Sequence, residues 1–246
     1  MAEEDLLERF SRSRPRGIFL DFDGTLSEIV ARPDQALPSP RARSLLEELT
    51  GRNDLVAVVS GRRTEDVRAL IGASGVEVFG QYGIDDGGIE GVQAEAVRLA
   101  LDRAAGDVQG AWIEDKGASL AVHYRAAPDP AAAEGRLRPA LQAIADDRGL
   151  LVLPGKMVLE LAPADTPGKG AVILREARTR GLSGCLFAGD DRADVAGFAA
   201  LDELRGGGMV TVKVAVRSEE TPQDLVDQAD IVVERPDGLL DLLARL

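Results

Sequence analysis

Asp21 and Asp23 stand two residues apart, followed at once by Gly24 and Thr25, at the end of the apolar run Gly17–Leu20. Side chains i and i+2 of a strand share a face, so both carboxylates start on the same side as the chain turns at Gly24. Like charges this close repel and call for a positive partner. A divalent metal with hard oxygen ligands fits that need. The competing reading is an Asx-rich strand-to-loop turn, and D-x-D-G-T alone does not decide between them. Three further clusters do. Ser60-Gly61-Arg62 follows the apolar run Leu55–Val59, Lys169 opens a helical stretch, and Asp190-Asp191-x-x-Asp194 follows Cys185–Ala188. In an open parallel sheet the carboxyl ends of such strands share one edge, where ligands bind near the switch point.

The residue types suit phosphoryl transfer. Asp21 is the candidate nucleophile, forming an acyl-phosphate and so splitting one hard hydrolysis into two easier steps. Asp23 is the candidate acid and base, first protonating the departing oxygen and then deprotonating water. Asp190 completes a metal site with Asp21 and a backbone carbonyl, that of Asp23. Mg²⁺ suits such a site of few carboxylates, waters and a phosphate oxygen. Ser60 and Gly61, Gly24 and Thr25, together with Lys169, are expected to hold the phosphoryl oxygens. Asp191 and Asp194 are expected behind them, orienting waters or Lys169.

Those clusters need elements to position them. Helices are expected over Glu3–Ser11, Pro40–Thr50 and Thr64–Ile71, with Thr64 as a cap. Strands are expected at Gly17–Leu20, Leu55–Val59 and Val76–Phe79, and Glu28–Pro40 reads as a loop. Unbroken apolar strands alternating with helices mark a parallel sheet covered on both faces. The pattern changes after Gly83. A helix over Gln93–Ala104 is followed by alternating segments Ala111–Asp115 and Ser119–Tyr124, as in half-exposed antiparallel strands. A helix over Pro130–Asp147 and a strand pair, Leu150–Leu153 and Met157–Leu161, complete an α+β insertion over roughly 84–164. The first style then resumes: helices at Lys169–Arg180, Ala193–Leu201 and Pro236–Leu246, and strands at Cys185–Ala188, Val210–Val216 and Ile231–Val233.

Composition narrows the partners. The 246 residues, 45% of them apolar, suffice for one large domain or a domain with a substantial insertion. A formal charge of −13 argues against a nucleic-acid or acidic-membrane surface, and means that an anionic substrate needs a local cation. There are only four lysines, Lys116, Lys156, Lys169 and Lys213, and Lys213 reads as structural or solvated. The single cysteine, Cys185, excludes an internal disulfide and reads as core. Its spacing to Arg192 is C-x6-R, not the C-x5-R of cysteine phosphatases, and no P-loop motif occurs. Met1–Pro15 lacks the apolar segment of a secretory signal, and no apolar run of about 18 residues exists. A cytoplasmic protein, without membrane or nucleic-acid partners and acting as a monomer, is expected.

Taken in order, the four clusters resemble the motifs of the haloacid dehalogenase (HAD) superfamily of phosphotransferases. The resemblance implies a Rossmann-like core at 1–83 and 165–246, Mg²⁺, and a C2-type cap domain at 84–164 that selects the substrate. Within the insertion, Glu114-Asp115-Lys116-Gly117, His123-Tyr124-Arg125, Gly155-Lys156-Met157 and Glu160 resemble the cap of trehalose-6-phosphate phosphatases. Gly80-Gln81-Tyr82-Gly83 fits the same family. It implies a phosphorylated disaccharide as substrate, gripped by Glu114, Lys116, Arg125, Lys156 and Glu160. His123, the only histidine, is a candidate contact beside them, against its reading as a packed or surface residue. Tyr82 stands where the family usually has histidine, and Ala193 and Val195 where it often has Thr and Glu. The rival functions are another capped sugar phosphatase, acting on sucrose phosphate, mannosyl phosphoglycerate or a hexose phosphate, and a catalytically dead sugar-phosphate sensor. A receiver domain is about half this length and carries its phosphorylated aspartate on the third strand.

Overall fold

A strand with no polar side chain on either face is stable only between two apolar layers. Three runs here meet that description once Arg16 at the start of the first is set aside, Arg16–Leu20, Leu55–Val59 and Gly184–Gly189, and every residue of each is buried. The computed structural model describes residues 3–30, 35–84, 88–89 and 91–246. In chain order they form α1 (Glu3–Arg12), β1 (Arg16–Leu20), α2 (Pro40–Thr50), β2 (Leu55–Val59), α3 (Thr64–Ile71) and β3 (Glu77–Phe79). Next come α4 (Gly91–Gly106), β4 (Trp112–Asp115), β5 (Leu120–His123), α5 (Pro130–Arg148), β6 (Leu150–Gly155) and β7 (Val158–Pro163). The rest is α6 (Gly168–Thr179), β8 (Gly184–Gly189), α7 (Val195–Gly206), β9 (Val210–Arg217), α8 (Gln223–Gln228), β10 (Ile231–Glu234) and α9 (Arg235–Leu243). Contacts divide the chain into two units, Met1–Gly83 with Pro167–Leu246, and Ile84–Thr166.

The first unit is a Rossmann-like sheet of six parallel strands in the order β10-β9-β8-β1-β2-β3. Strand alternation feeds two cores. Ile18, Leu20, Val56, Val58 and Leu186 point to one side, against Phe10, Leu46, Leu49, Val67 and Leu239. Phe19, Ala57, Val59, Cys185 and Phe187 point to the other, against Val172, Ile173, Phe198 and Leu201. Sequence order runs away from β1 on both sides, so β1 is the switch point. The register fixes what meets there. Leu20 lies opposite Val58 on β2 and opposite Ala188 on β8, so Asp21, Ser60 and Asp190 emerge within a residue or two of one level.

The second unit is an antiparallel sheet, β4-β5-β7-β6. Ile113, Leu120, Val122, Leu159 and Leu161 alternate onto one face and pack with Val97, Leu101, Leu137 and Leu141 of α4 and α5. The other face carries the polar residues of the same strands.

Local chemistry changed several expectations. Thr64 is the first residue of α3, not its cap: Arg63 holds the cap position without capping the helix through its side chain, and the Thr64 hydroxyl accepts from Gly80 N at 3.1 Å. A 3₁₀ turn, Arg192–Asp194, precedes α7, because Asp191 caps it by accepting from Arg192 N at 2.6 Å. Residues 31–34 of the expected Glu28–Pro40 loop lie outside the described residues. Lys213, inside β9, is buried, and Nζ donates to both Asp202 carboxylate oxygens at 2.8 and 3.1 Å.

Cys185 is fully buried in β8, and burial pushes its thiol above the usual range. The sign follows: the thiolate stays scarce through neutral and mildly alkaline pH. At pH 8 the native protein should give no reaction with Ellman's reagent, and denaturant should release the reactivity of this one thiol. Rapid labelling of native protein would contradict the packing.

Candidate active site

The turn after β1 is held by its own backbone. Asp21 N donates to Ala188 O at 2.9 Å, and Gly24 N donates to Ser27 O at 2.8 Å. Gly24 adopts φ +81°, and a Cβ there would sit 1.9 Å from Asp190 Oδ2. Glycine therefore serves twice, supplying a left-handed turn and letting the first acidic loop lie against the fourth. Its N–H is engaged with Ser27, so what Gly24 offers a ligand is room. Thr25 is fully buried and its hydroxyl reaches Asp190 Oδ1 at 3.4 Å.

Lys169, the second residue of α6, enters this cluster from the side. Its Nζ lies 2.6 Å from Asp21 Oδ1 and 2.6 Å from Asp194 Oδ1, and all three side chains are buried. The other oxygen of Asp194 accepts from Asp190 N and Asp191 N, each at 2.9 Å. Asp194 thus ties the lysine to the loop after β8, and both of its oxygens are engaged in doing so. Desolvation opposes the charge on Lys169, but Asp194 and Asp21 outweigh it and the ammonium is held protonated. Asp21 moves the other way. Burial raises its pKa well above the carboxylate range; Lys169 opposes the rise, and Asp194 and Asp190 add to it.

The donor chemistry fits a divalent cation. Asp21, Asp190 and Asp194 each bring a buried carboxylate oxygen within 4.8 Å of the others. Three such carboxylates against one ammonium leave an excess of negative charge that a hard dication offsets. Because Lys169 and two amides already occupy Asp194, the ligands best suited to a metal are Asp21 and Asp190.

Asp23 takes a different course. Its carboxylate accepts a fork of two bonds from Arg62, Nε to Oδ2 and Nη2 to Oδ1, both 2.7 Å. The guanidinium also lies over the Phe22 ring, 5.3 Å from its centre. Side-chain exposure separates the two aspartates, 42% for Asp23 against 7% for Asp21. Ser60 is buried beside Arg62, whose N–H donates to its hydroxyl at 3.2 Å. Tyr82 closes the back of this loop. Tyr82 N donates to Ser60 O at 2.9 Å, and its ring would stand 2.6 Å from a Cβ on Gly61. Gln81 and Tyr82 both have positive φ, 51° and 55°, a strain the surrounding bonds must hold.

The second unit assembles another cluster. Alternation and register put Trp112, Glu114, His123 and Glu160 on the face away from α4 and α5. Lys116 Nζ meets Glu160 Oε2 at 2.6 Å, and the Ser119 hydroxyl donates to the other oxygen. Glu160 is buried. His123 Nε2 lies 2.7 Å from Glu114 Oε2, and its ring stacks on Trp112 at 4.1 Å and 6°. Arg125 Nη2 donates to the carbonyl of Lys156 at 3.4 Å. The structure thus gathers Asp21, Thr25, Lys169, Asp190, Asp191 and Asp194, pairs Asp23 with Arg62, and joins Glu114 to His123 and Lys116 to Glu160. Sequence reasoning named Arg62 only as part of the Ser60-Gly61-Arg62 cluster, and passed over Ser119 and Trp112. Cross-strand register is the signal that exposes the last two.

A parallel sheet with a switch-point aspartate pair, a lysine and an inserted antiparallel unit defines the HAD-like fold. A haloacid dehalogenase-like hydrolase from Bacteroides thetaiotaomicron superposes with TM-score 0.64 at 15% identity, over 94% of this chain and 99% of that one. The C-terminal domain of Candida albicans trehalose-6-phosphate phosphatase superposes with TM-score 0.81 at 24% identity, over 100% and 97%. The sequence profile of the trehalose-phosphatase family matches residues 19–229, and the chain belongs to that family. A trehalose-phosphate phosphatase of Mycobacterium avium is 35% identical over 225 residues, 84% of this chain and 56% of the relative. The chain therefore spans little more than half the length of that relative.

Lys169→Met tests the charge balance without reference to turnover. Removing the ammonium leaves buried carboxylates unpaired, and should cost about 3–5 kcal/mol in denaturant unfolding without divalent metal. Millimolar MgCl₂ should recover part of the loss in the variant. A variant as stable as the parent in EDTA would refute the account.

Proposed function

We propose that this chain is a Mg²⁺-dependent phosphatase that hydrolyses trehalose 6-phosphate to trehalose and phosphate, through an aspartyl-phosphate on Asp21. The observation that carries the reading is the buried Asp21–Lys169–Asp194 bridge at the carboxyl edge of the parallel sheet, in a chain of this family. Lys169 fixes one oxygen of Asp21 and so aims the other at phosphorus. As the bond to Asp21 forms, the bond to the sugar oxygen breaks, and Asp23 gives that oxygen a proton. Asp23 must leave Arg62 to deliver it, and its greater exposure supports such freedom. Water then attacks phosphorus, Asp23 takes its proton, and the Asp21–phosphorus bond breaks to release phosphate.

Ser60, Thr25 and the amide of Gly61 hold phosphoryl oxygens in this scheme, with Gly24 providing clearance. Mg²⁺ held by Asp21, Asp190 and the backbone carbonyl of Asp23 would offset the phosphoryl charge. Residues 1–83 and 165–246 form the catalytic core. Residues 84–164 form the cap that selects the sugar through Glu114, Lys116, His123, Arg125, Lys156 and Glu160. No helix among the described residues is long and apolar enough to cross a membrane. We place the protein in the cytoplasm as a monomer acting on a small phosphorylated disaccharide.

Phosphate release should be measured with and without MgCl₂ on trehalose 6-phosphate, sucrose phosphate, mannosyl phosphoglycerate and glucose 6-phosphate. Turnover should be metal-dependent and fastest on the first. Asp21→Asn should abolish it while circular dichroism and melting stay native; retained turnover would eliminate the nucleophile. Tight binding of trehalose 6-phosphate without phosphate release would instead identify a sensor.

A further inference from the structure

We infer that Trp112 is a stacking platform for a pyranose ring, and so a specificity-determining residue for the substrate class proposed above, on which this inference rests. Trp112 is the only tryptophan in the chain and lies in β4, the edge strand of the antiparallel sheet. It keeps 43% of its surface exposed, although alternation places it on the same face as Glu114 and, across the sheet, Glu160. An exposed indole costs solubility and adds nothing to the apolar core beneath α4 and α5, in which Trp112 takes no part.

The ring is also held in place. Its cross-strand partner His123 stacks on it at 4.1 Å with 6° between planes, and Glu114, two residues along the same strand, anchors that imidazole at 2.7 Å. One face of the indole is thus braced and its orientation fixed before any ligand arrives. Rigid aromatic rings beside hydrogen-bonding groups are what a sugar requires. The C–H-bearing face of a pyranose is apolar and packs on an indole, while its rim hydroxyls seek carboxylates and ammonium groups. Both parts are present on this one face: the braced indole, and the Glu114 and Glu160–Lys116 groups beside it. A phosphate ion offers no apolar face, so this residue senses the sugar and not the reacting group.

The chain's single tryptophan makes the test direct. In the Asp21→Asn variant, titration with trehalose 6-phosphate or trehalose should produce a saturable change in tryptophan emission, and inorganic phosphate alone should not. Trp112→Ala should raise KM for trehalose 6-phosphate about two- to tenfold, the worth of one aromatic contact. Its kcat, and hydrolysis of acetyl phosphate, which carries no sugar, should stay unchanged. Trp112→Phe, which keeps a ring, should restore most of the affinity. An unchanged KM in Trp112→Ala, or equal losses on both substrates, would overturn the inference. If the parent protein hydrolyses acetyl phosphate but not trehalose 6-phosphate, the substrate reading has failed. The emission titrations with trehalose and glucose then decide Trp112 separately, and no response to either would dismiss the platform.

Discussion

One buried ammonium organises the acidic edge of the parallel sheet. Lys169 meets Asp21 and Asp194 at 2.6 Å each, where water cannot screen the charges. Three segments far apart in sequence converge on that nitrogen: the turn after β1, the first turn of α6 and the loop after β8. Asp194 extends the tie, because its second oxygen collects the amides of Asp190 and Asp191. The loop that carries Asp190 is therefore shaped by the same side chain that orients the lysine. This is an anchor of high stakes, since removing the ammonium strands carboxylates in a dry site. It also fixes where the chain must return. Whatever is inserted between β3 and α6, the start of α6 has to come back to the end of β1.

The two aspartates of the opening motif receive opposite surroundings. Asp21 is enclosed, crowded by like charges and gripped by a short, buried lysine. Asp23 is half open and held by a long guanidinium that lies over Phe22. Distinct environments for neighbouring carboxylates are how one site assigns distinct roles. A nucleophile benefits from a fixed direction, whereas a group that gives and takes a proton must reach two different oxygens in turn. Asp21 is held rigidly and Asp23 is the more exposed, which supports the roles proposed for them.

Much of this was legible in the sequence, for reasons that particular residues illustrate. Leu55–Val59 has no polar side chain, so its place inside a parallel sheet follows from periodicity alone. The level of Asp21, Ser60 and Asp190 follows from three strands ending alike. The α+β insertion announced itself by alternation in Ala111–Asp115 and Ser119–Tyr124. Other features depend on contacts that no periodicity encodes. Arg62 reaches Asp23 across two loops, and nothing in S-G-R specifies its partner. Thr64 looks like a cap by type, but the Gly80 amide competes for its hydroxyl and wins. The six-residue α8 is too short and polar to show an apolar stripe. Ser119 acquires meaning only through its hydrogen bond across the sheet to Glu160.

The polar face of the antiparallel sheet carries a final constraint. Its acidic groups are already paired: Glu160 with Lys116 and Ser119, and Glu114 with His123. Unpaired, a carboxylate as deeply buried as Glu160 would be costly to keep ionised. Paired, it still has acceptor capacity, because an ionised carboxylate offers about four lone-pair sites and Lys116 and Ser119 supply two donors. A sugar hydroxyl can thus join the network without displacing a member. In the proposed function, directional groups of this kind set which hydroxyls are accepted, while the braced Trp112 ring sets where the sugar ring lies. In the proposed function the parallel sheet decides the bond to be broken, and a separate sheet, whose carboxylates are already paired but keep acceptor capacity, decides the molecule that carries it.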